Sequence, residues 1–395
     1  MPTETVPAVE RIPTVRISQD NETVLQQLGL LKDLAGTWKG EGFNLIARPD
    51  GEGKSNLYLQ LNQTRETLKI DPIGSSIPNR GFGQNDIELF GLTYLQKISD
   101  VFTGGALHIE PGIWVTQPTT TYPIESAPTG AQIVARMGTI PHGNSLLAQG
   151  TAAHFAGAPA LTSPAAQYAF SQFPSFNSTP FPSPLPPPIP PPPIINAAGS
   201  SEKLTAAAAG VPPFTQYDIT IPDSATNPRT PFGTNPPDPA LPAEIHGVPM
   251  QDVINDPIRL LQEVIANQVD QGHTFEGTVL NIATQAQITF FTKPDSKAGD
   301  PTVAVNVTNG AGGIENILFL EGGEPVGAKG PNADTALVYA TFWIEKVMHQ
   351  HHRPFMQLQY AQMVILDFPI FTLLPRVVNL GWPHISVATL RKTFS

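Results

Sequence analysis

Leu57-Tyr58-Leu59-Gln60-Leu61-Asn62 alternates apolar and polar side chains without a break, the period-two signature of a strand with one buried face. Working outward, 66–70 reads as its partner. Upstream, Gly36-Thr37-Trp38-Lys39-Gly40-Glu41-Gly42-Phe43-Asn44-Leu45-Ile46 reads as a strand whose spaced glycines mark a bend or a close backbone approach. Downstream, 86–96 and 105–116 alternate again, and 132–140 with 145–154 form a hairpin turned by Pro141-His142-Gly143-Asn144. Strand signals return at 274–283, 285–292, 302–307, 314–321, 334–347, 357–366 and 383–393. One helix opens at Asp256-Pro257 and carries Ile258, Leu261 and Ile265 on one face. About ten or more short strands with so little helix predict a mainly β protein, an antiparallel up-and-down barrel.

Between the two strand series the pattern stops. About half of the 43 prolines fall within 174–249, including the run 186–193, so that stretch reads as polyproline II and irregular loop inserted into the barrel. The expected organisation is an N-terminal arm (1–30), a first part of the barrel (31–155), a Pro-rich insertion (156–255) and a second part with the helix (256–395), together one composite domain. Within the insertion Phe170, Phe173, Phe176, Phe181 and Ile189 need burial, which predicts a cover over the barrel wall.

Composition removes several function classes. The 395 residues carry 22 basic and 33 acidic side chains, a net charge of -11, with no basic cluster, so nucleic acid is not an expected partner. The absence of Cys excludes thiolate catalysis and zinc-thiolate or iron–sulfur sites. No apolar run is long enough for a membrane helix, and the N-terminus lacks a signal-peptide pattern, which makes the cytoplasm the expected compartment. No nucleophile elbow, P-loop or dinucleotide fingerprint occurs. Oligomeric state is left open.

In a closed antiparallel barrel the first and last strands are neighbours, so Trp38 is expected to meet Arg391 in a cation–π contact across the seam. Four segments then run in a telling order: Gly36-Thr37-Trp38-Lys39-Gly40-Glu41-Gly42; Leu107-His108-Ile109-Glu110-Pro111-Gly112-Ile113-Trp114; Leu358-Gln359-Tyr360-Ala361-Gln362-Met363; and His384-Ile385-Ser386-Val387-Ala388-Thr389-Leu390-Arg391. This series resembles the motifs of the nitrobindin family, compact lipocalin-like (calycin) barrels that hold haem b at the barrel mouth. The resemblance implies haem b with His384, at the start of the last strand, as proximal iron ligand, and Thr37, Phe43, Leu45, Trp114 and Met363 around it. It further implies reaction with a small oxidant or gas: peroxynitrite isomerisation, nitric oxide binding or weak peroxidase activity. Where the family continues its first motif with Tyr-Pro-Thr-Ile, this chain has Phe43-Asn44-Leu45-Ile46, so that wall differs.

A peroxidase needs a base on the open side of the haem, and His108, in a strand, and His142, in a hairpin turn, are the candidates. His349, His351 and His352 have metal-like spacing but read as a strand connection. Glu110, Asp334, Glu345 and Asp367 show no acid–base pair by spacing. The competing expectation is a lipocalin-like carrier or cyclase that holds an apolar small molecule in an apolar lumen, without haem.

Overall fold

The computed structural model describes residues 20–50, 57–79, 87–118, 129–140, 144–161, 181–182, 215–230, 241–284, 287–290, 303–306, 337–371 and 377–393. In chain order these form α1 (Asn21–Leu28), β1 (Gly36–Arg48), β2 (Tyr58–Pro72), β3 (Ile77–Asn79), β4 (Ile87–Asp100), β5 (Ala106–Gln117), β6 (Ala131–Ile140) and β7 (Asn144–Ala156). Next come β8 (Phe181–Pro182), β9 (Arg229–Thr230), β10 (Glu244–Ile245), β11 (Val248–Pro249), α2 (Met250–Asn255) and α3 (Arg259–Asp270). The chain ends with β12 (Thr274–Ala283), β13 (Gln287–Phe290), β14 (Val303–Asn306), β15 (Leu337–His349), β16 (His352–Phe371) and β17 (Val377–Thr393).

Ten of these strands close on themselves in the order β4, β5, β6, β7, β12, β15, β16, β17, β1, β2 and back to β4, each antiparallel to its neighbours. The barrel expected from the alternation is therefore present, and its architecture is consistent with a calycin-like fold. Closure places the first strand against the last, with Trp38 opposite Lys392 and Ile46 opposite His384. The expected Trp38–Arg391 contact is corrected by one residue. Lys392 sits 5.1 Å from the Trp38 ring, while Arg391 lies on the outer face, 4.1 Å from the Phe355 ring. Strand side chains alternate between faces, so only one of two consecutive residues can reach the indole.

Two large cores flank the barrel wall, and a small third cluster of Val115, Ala135, Met137 and Leu147 lies on the outer face of β5, β6 and β7. The inner one fills the lumen with Trp38, Leu68, Leu92, Trp114, Leu280, Phe342, Leu358 and Leu390, together with Val24, Leu28, Leu31 and Leu34 from α1 and the 3-10 turn after it. Residues 21–34 thus plug one end of the barrel. Asp20 caps α1 by accepting from Thr23 N at 2.9 Å, and the Trp38 indole N–H donates to Leu34 O at 2.8 Å, tying plug to wall.

The outer core joins Phe43, Leu45, Leu59, Leu61, Met363, Ile385 and Val387 to Tyr217, Ile245, Met250, Val253, Leu261 and Ile265. Residues 215–230 and 241–270 are consequently an integral outer layer of the barrel. Two short pairings stitch the insertion on: β9 runs parallel to β2 at Leu59–Gln60, and β8 pairs with β17 at Leu380–Gly381. Phe170, Phe173, Phe176, Ile189 and the strand expected at 314–321 lie outside the described residues. Among the described residues, no helix is long and apolar enough to cross a membrane.

Candidate functional site

Above the aromatic lower half, one side of the lumen turns polar, while Leu146, Ile282 and Val338 on β7, β12 and β15 keep the other side apolar as expected. Side chains at every second position of β2, β4, β5, β6 and β16 bring Glu66, Tyr94, Gln96, Glu110, Arg136, Tyr360 and Gln362 together, all buried. Arg136 is the hub. Its Nη2 donates to Glu110 Oε1 at 2.7 Å and to Gln96 Oε1 at 3.3 Å, its Nη1 to Gln362 Oε1 at 2.8 Å and its Nε to Tyr94 Oη at 3.1 Å. The Tyr94 hydroxyl donates to Glu110, and Tyr360 donates to Glu66 Oε2 at 2.7 Å while Gln96 Nε2 donates to Glu66 Oε1 at 2.8 Å. Trp114 and Phe342 meet edge to face beneath the guanidinium, 5.3 Å apart, and offer it their rings at 5.7 and 5.2 Å.

The two acids of this network differ in charge. Burial alone would raise Glu110, but the Arg136 guanidinium and the His108 and Tyr94 hydrogen bonds hold it at about 2, so it is a carboxylate. Among the described residues Glu66 has no ion-pair partner, and burial pushes it up to about 7 in spite of the two donors. The Tyr94–Glu110 contact depends on glycine. A Cβ on Gly138 would stand 2.5 Å from Tyr94 Oη and 2.7 Å from Glu110 Oε1, and one on Gly112 would stand 2.5 Å from the same hydroxyl.

His108 is the outermost member. Its Nε2 lies 3.3 Å from Glu110 Oε2, and its side chain keeps 19% of its surface exposed while Glu110 keeps none. A buried, ionised carboxylate against an imidazole orients the ring, the arrangement general acid–base chemistry uses. Towards the same end, away from α1, the lumen-facing positions mix polar side chains, Asn44, Asn62, Asp100, His384 and Ser386, with apolar ones, among them Ile46 and Val364 on either side of His384; Asn62 donates to Asp100 at 3.1 Å.

Comparison with protein-family models, with curated proteins and with solved structures found no match.

The residues expected around haem are divided by the wall. Trp114 and His384 fall on the lumen face, His384 half-buried with Nε2 3.0 Å from Ala47 O and in the middle of β17 instead of at its start. Phe43, Leu45 and Met363 face the opposite way, into the outer core beneath the insertion. Thr37 shares their parity, and its carbonyl accepts from Thr393 Oγ1 at 3.0 Å at the plugged end. The physical reason is parity: Phe43 is five positions from lumen-facing Trp38, and Met363 is three from lumen-facing Tyr360. Phe43, Leu45 and Met363 therefore do not line the space that His384 faces, so the set expected around haem is not brought together; the neighbours of His384 on the lumen face are Ile46 and Val364. His108 is in the lumen as described; His142 lies outside the described residues.

Sequence reasoning missed Glu66, Gln96 and Arg136. A signal existed, since Glu66 sits two positions from Leu68 and four from Ile70 in one strand, and so shares their buried face. Which partner neutralises such an acid depends on strands distant in sequence.

Proposed function

We propose that this chain is a small-molecule-binding barrel that takes a compact, hydrogen-bonding ligand at the lumen end away from α1, with His108 acting on it as acid or base. The observation that carries the reading is the chain His108–Glu110–Arg136, in which a partly buried imidazole is backed by a buried carboxylate kept ionised by a buried guanidinium. The amide-rich lining around it favours a hydroxylated or carbonyl-bearing molecule over a lipid, because a buried polar group left unpaired by an apolar ligand costs more than the contact returns. Glu110 and Arg136 are positioning residues in this scheme.

The test is a screen of hydroxylated and carbonyl-bearing aromatic compounds by ligand-observed NMR against wild type and His108→Gln. Binders that lose tenfold or more in affinity in the variant support the reading. Binders indifferent to it, or none at all, overturn it.

Haem remains the second reading on one observation: His384 and His108 occupy lumen-facing positions on β17 and β5, on opposite sides of the ten-strand ring. Haem bound there would supply redox chemistry on a small oxidant. A Soret band in protein from iron-supplied cells, lost in His384→Ala, would establish it in place of the first reading.

A further inference from the structure

Outside the lumen, α3 lies on the barrel wall over a polar strip. Gln268 of α3 exchanges hydrogen bonds with Gln357 of β16 at 2.8 and 3.2 Å, and Gln357 Nε2 donates to Glu345 Oε2 of β15 at 2.6 Å. Glu345 has no exposed surface, and among the described residues its Oε1 has no hydrogen-bond partner; the neighbouring Gln359 is equally buried, and its Oε1 is likewise unpartnered among them. Gln359 spends its amide N–H groups on Leu261 O of α3 at 3.3 Å and on Thr389 at 2.8 Å. The helix is also imperfectly seated, with a cavity of about 180 Å³ between Leu260, Leu261 and Val264 and the Val387–Thr389 stretch.

Just before α3, Asp256 is a second acid pushed up by burial, to about 6, with Oδ1 unpartnered among the described residues. Arg391, Arg259, Glu263, His273, Glu276 and Lys346 are engaged elsewhere. On the outer face, Arg391 lies over Phe355. On α3, Arg259 pairs with Asp252 at 2.7 Å, and Glu263 accepts from Asn267 at 3.1 Å. Beside the end of α3, His273 Nδ1 is 3.1 Å from Gln268 O; on β12 and β15, Glu276 and Lys346 pair with each other at 2.7 Å. None of them compensates a negative charge on Glu345, whose acidity is set by burial and the Gln357 hydrogen bond.

We propose that α3 is a pH-controlled strap, clamped on the barrel wall while Glu345 is protonated and loosened as rising pH forces a charge beneath it. Burial pushes Glu345 up to about 8, whereas with α3 lifted it returns to the ordinary value of 4.5. An acid with the higher pKa in the closed state favours that state fully below 4.5 and loses the advantage progressively up to about 8, beyond which the equilibrium is level.

The experiment is native-state hydrogen exchange of the full chain by mass spectrometry, corrected for intrinsic rates, from pH 5 to 9. The opening constant of α3 should rise by up to about tenfold per pH unit to near pH 8 and then flatten. Strands β4 and β5, remote from Glu345, should not follow it. Glu345→Gln keeps size and hydrogen bonding without the charge and should abolish the rise between about pH 6 and 8, as should Glu345→Met; a slope left below pH 6 belongs to Asp256. Wild type and both variants sharing one profile, or α3 exchanging only with the whole barrel, would overturn the proposal.

Discussion

Arg136 on β6 and Gln362 on β16 bond directly across the lumen, Nη1 to Oε1 at 2.8 Å. Strands that are not neighbours in the sheet are thereby held at one separation, and the cation stays beside Glu110.

Arg136→Met should therefore destabilise the fold by about 3–5 kcal/mol, because it strands a buried carboxylate without its counter-charge. Adding Glu110→Gln should recover part of that loss. Urea denaturation of the two single variants and the double variant measures the coupling; simple additivity would mean the pair is not coupled.

Gly138→Ala should cost about 1–3 kcal/mol by overpacking, since its methyl would press on Tyr94 Oη and Glu110 Oε1. Thermal melting reads this. An unchanged melting temperature would show that the Tyr94–Glu110 pair can yield.

Glu66 makes stability fall with pH. Its folded pKa of about 7 exceeds the ordinary 4.5, so the stabilisation is complete below 4.5, declines between 4.5 and 7 and is gone above, on the order of 3 kcal/mol in all. Glu345 contributes a decline of the same sign, so the quantity to measure is wild type minus Glu66→Gln. That difference should slope through pH 4.5–7 and be flat beyond; a flat difference throughout would rule out a raised Glu66.

Trp38→Ala should cost about 3–5 kcal/mol, as expected for truncating a fully buried aromatic. Because the indole also holds Leu34 O, the plug should loosen with it. Protease sites in 21–34 should become accessible in the variant before the barrel unfolds. Their continued protection would place the plug's anchorage in Val24, Leu28 and Leu31 instead.

The barrel was legible because alternation is a local property. Leu57, Leu59 and Leu61 mark a half-buried strand whatever surrounds them, and the hairpin around 141–144 announces its own turn. Strand ends were less legible. The expected 357–366 and 383–393 extend to Phe371 and back to Val377, because the two segments pair with each other through Ile365↔Pro383 to Phe371↔Val377, past the prolines that interrupt the pattern. The candidate site was legible only at His108.

By itself, the order of amino acids determined that this chain is built from antiparallel strands, that its first and last strands meet, and that it lacks thiol and basic-patch chemistry. Period two also implied that Phe43 and Trp38 face opposite ways, though not which of them faces in. Only the tertiary structure decided that. Both faces of the wall at β1 are buried, one around the lumen and one beneath the insertion, so hydrophobicity could not tell inside from outside there. Likewise, a buried acid such as Glu66, Glu110 or Glu345 is neutral or charged according to what approaches it through space. Arg136 comes 26 residues after Glu110 and Gln268 lies 89 before Gln357, separations at which no local pattern carries the information.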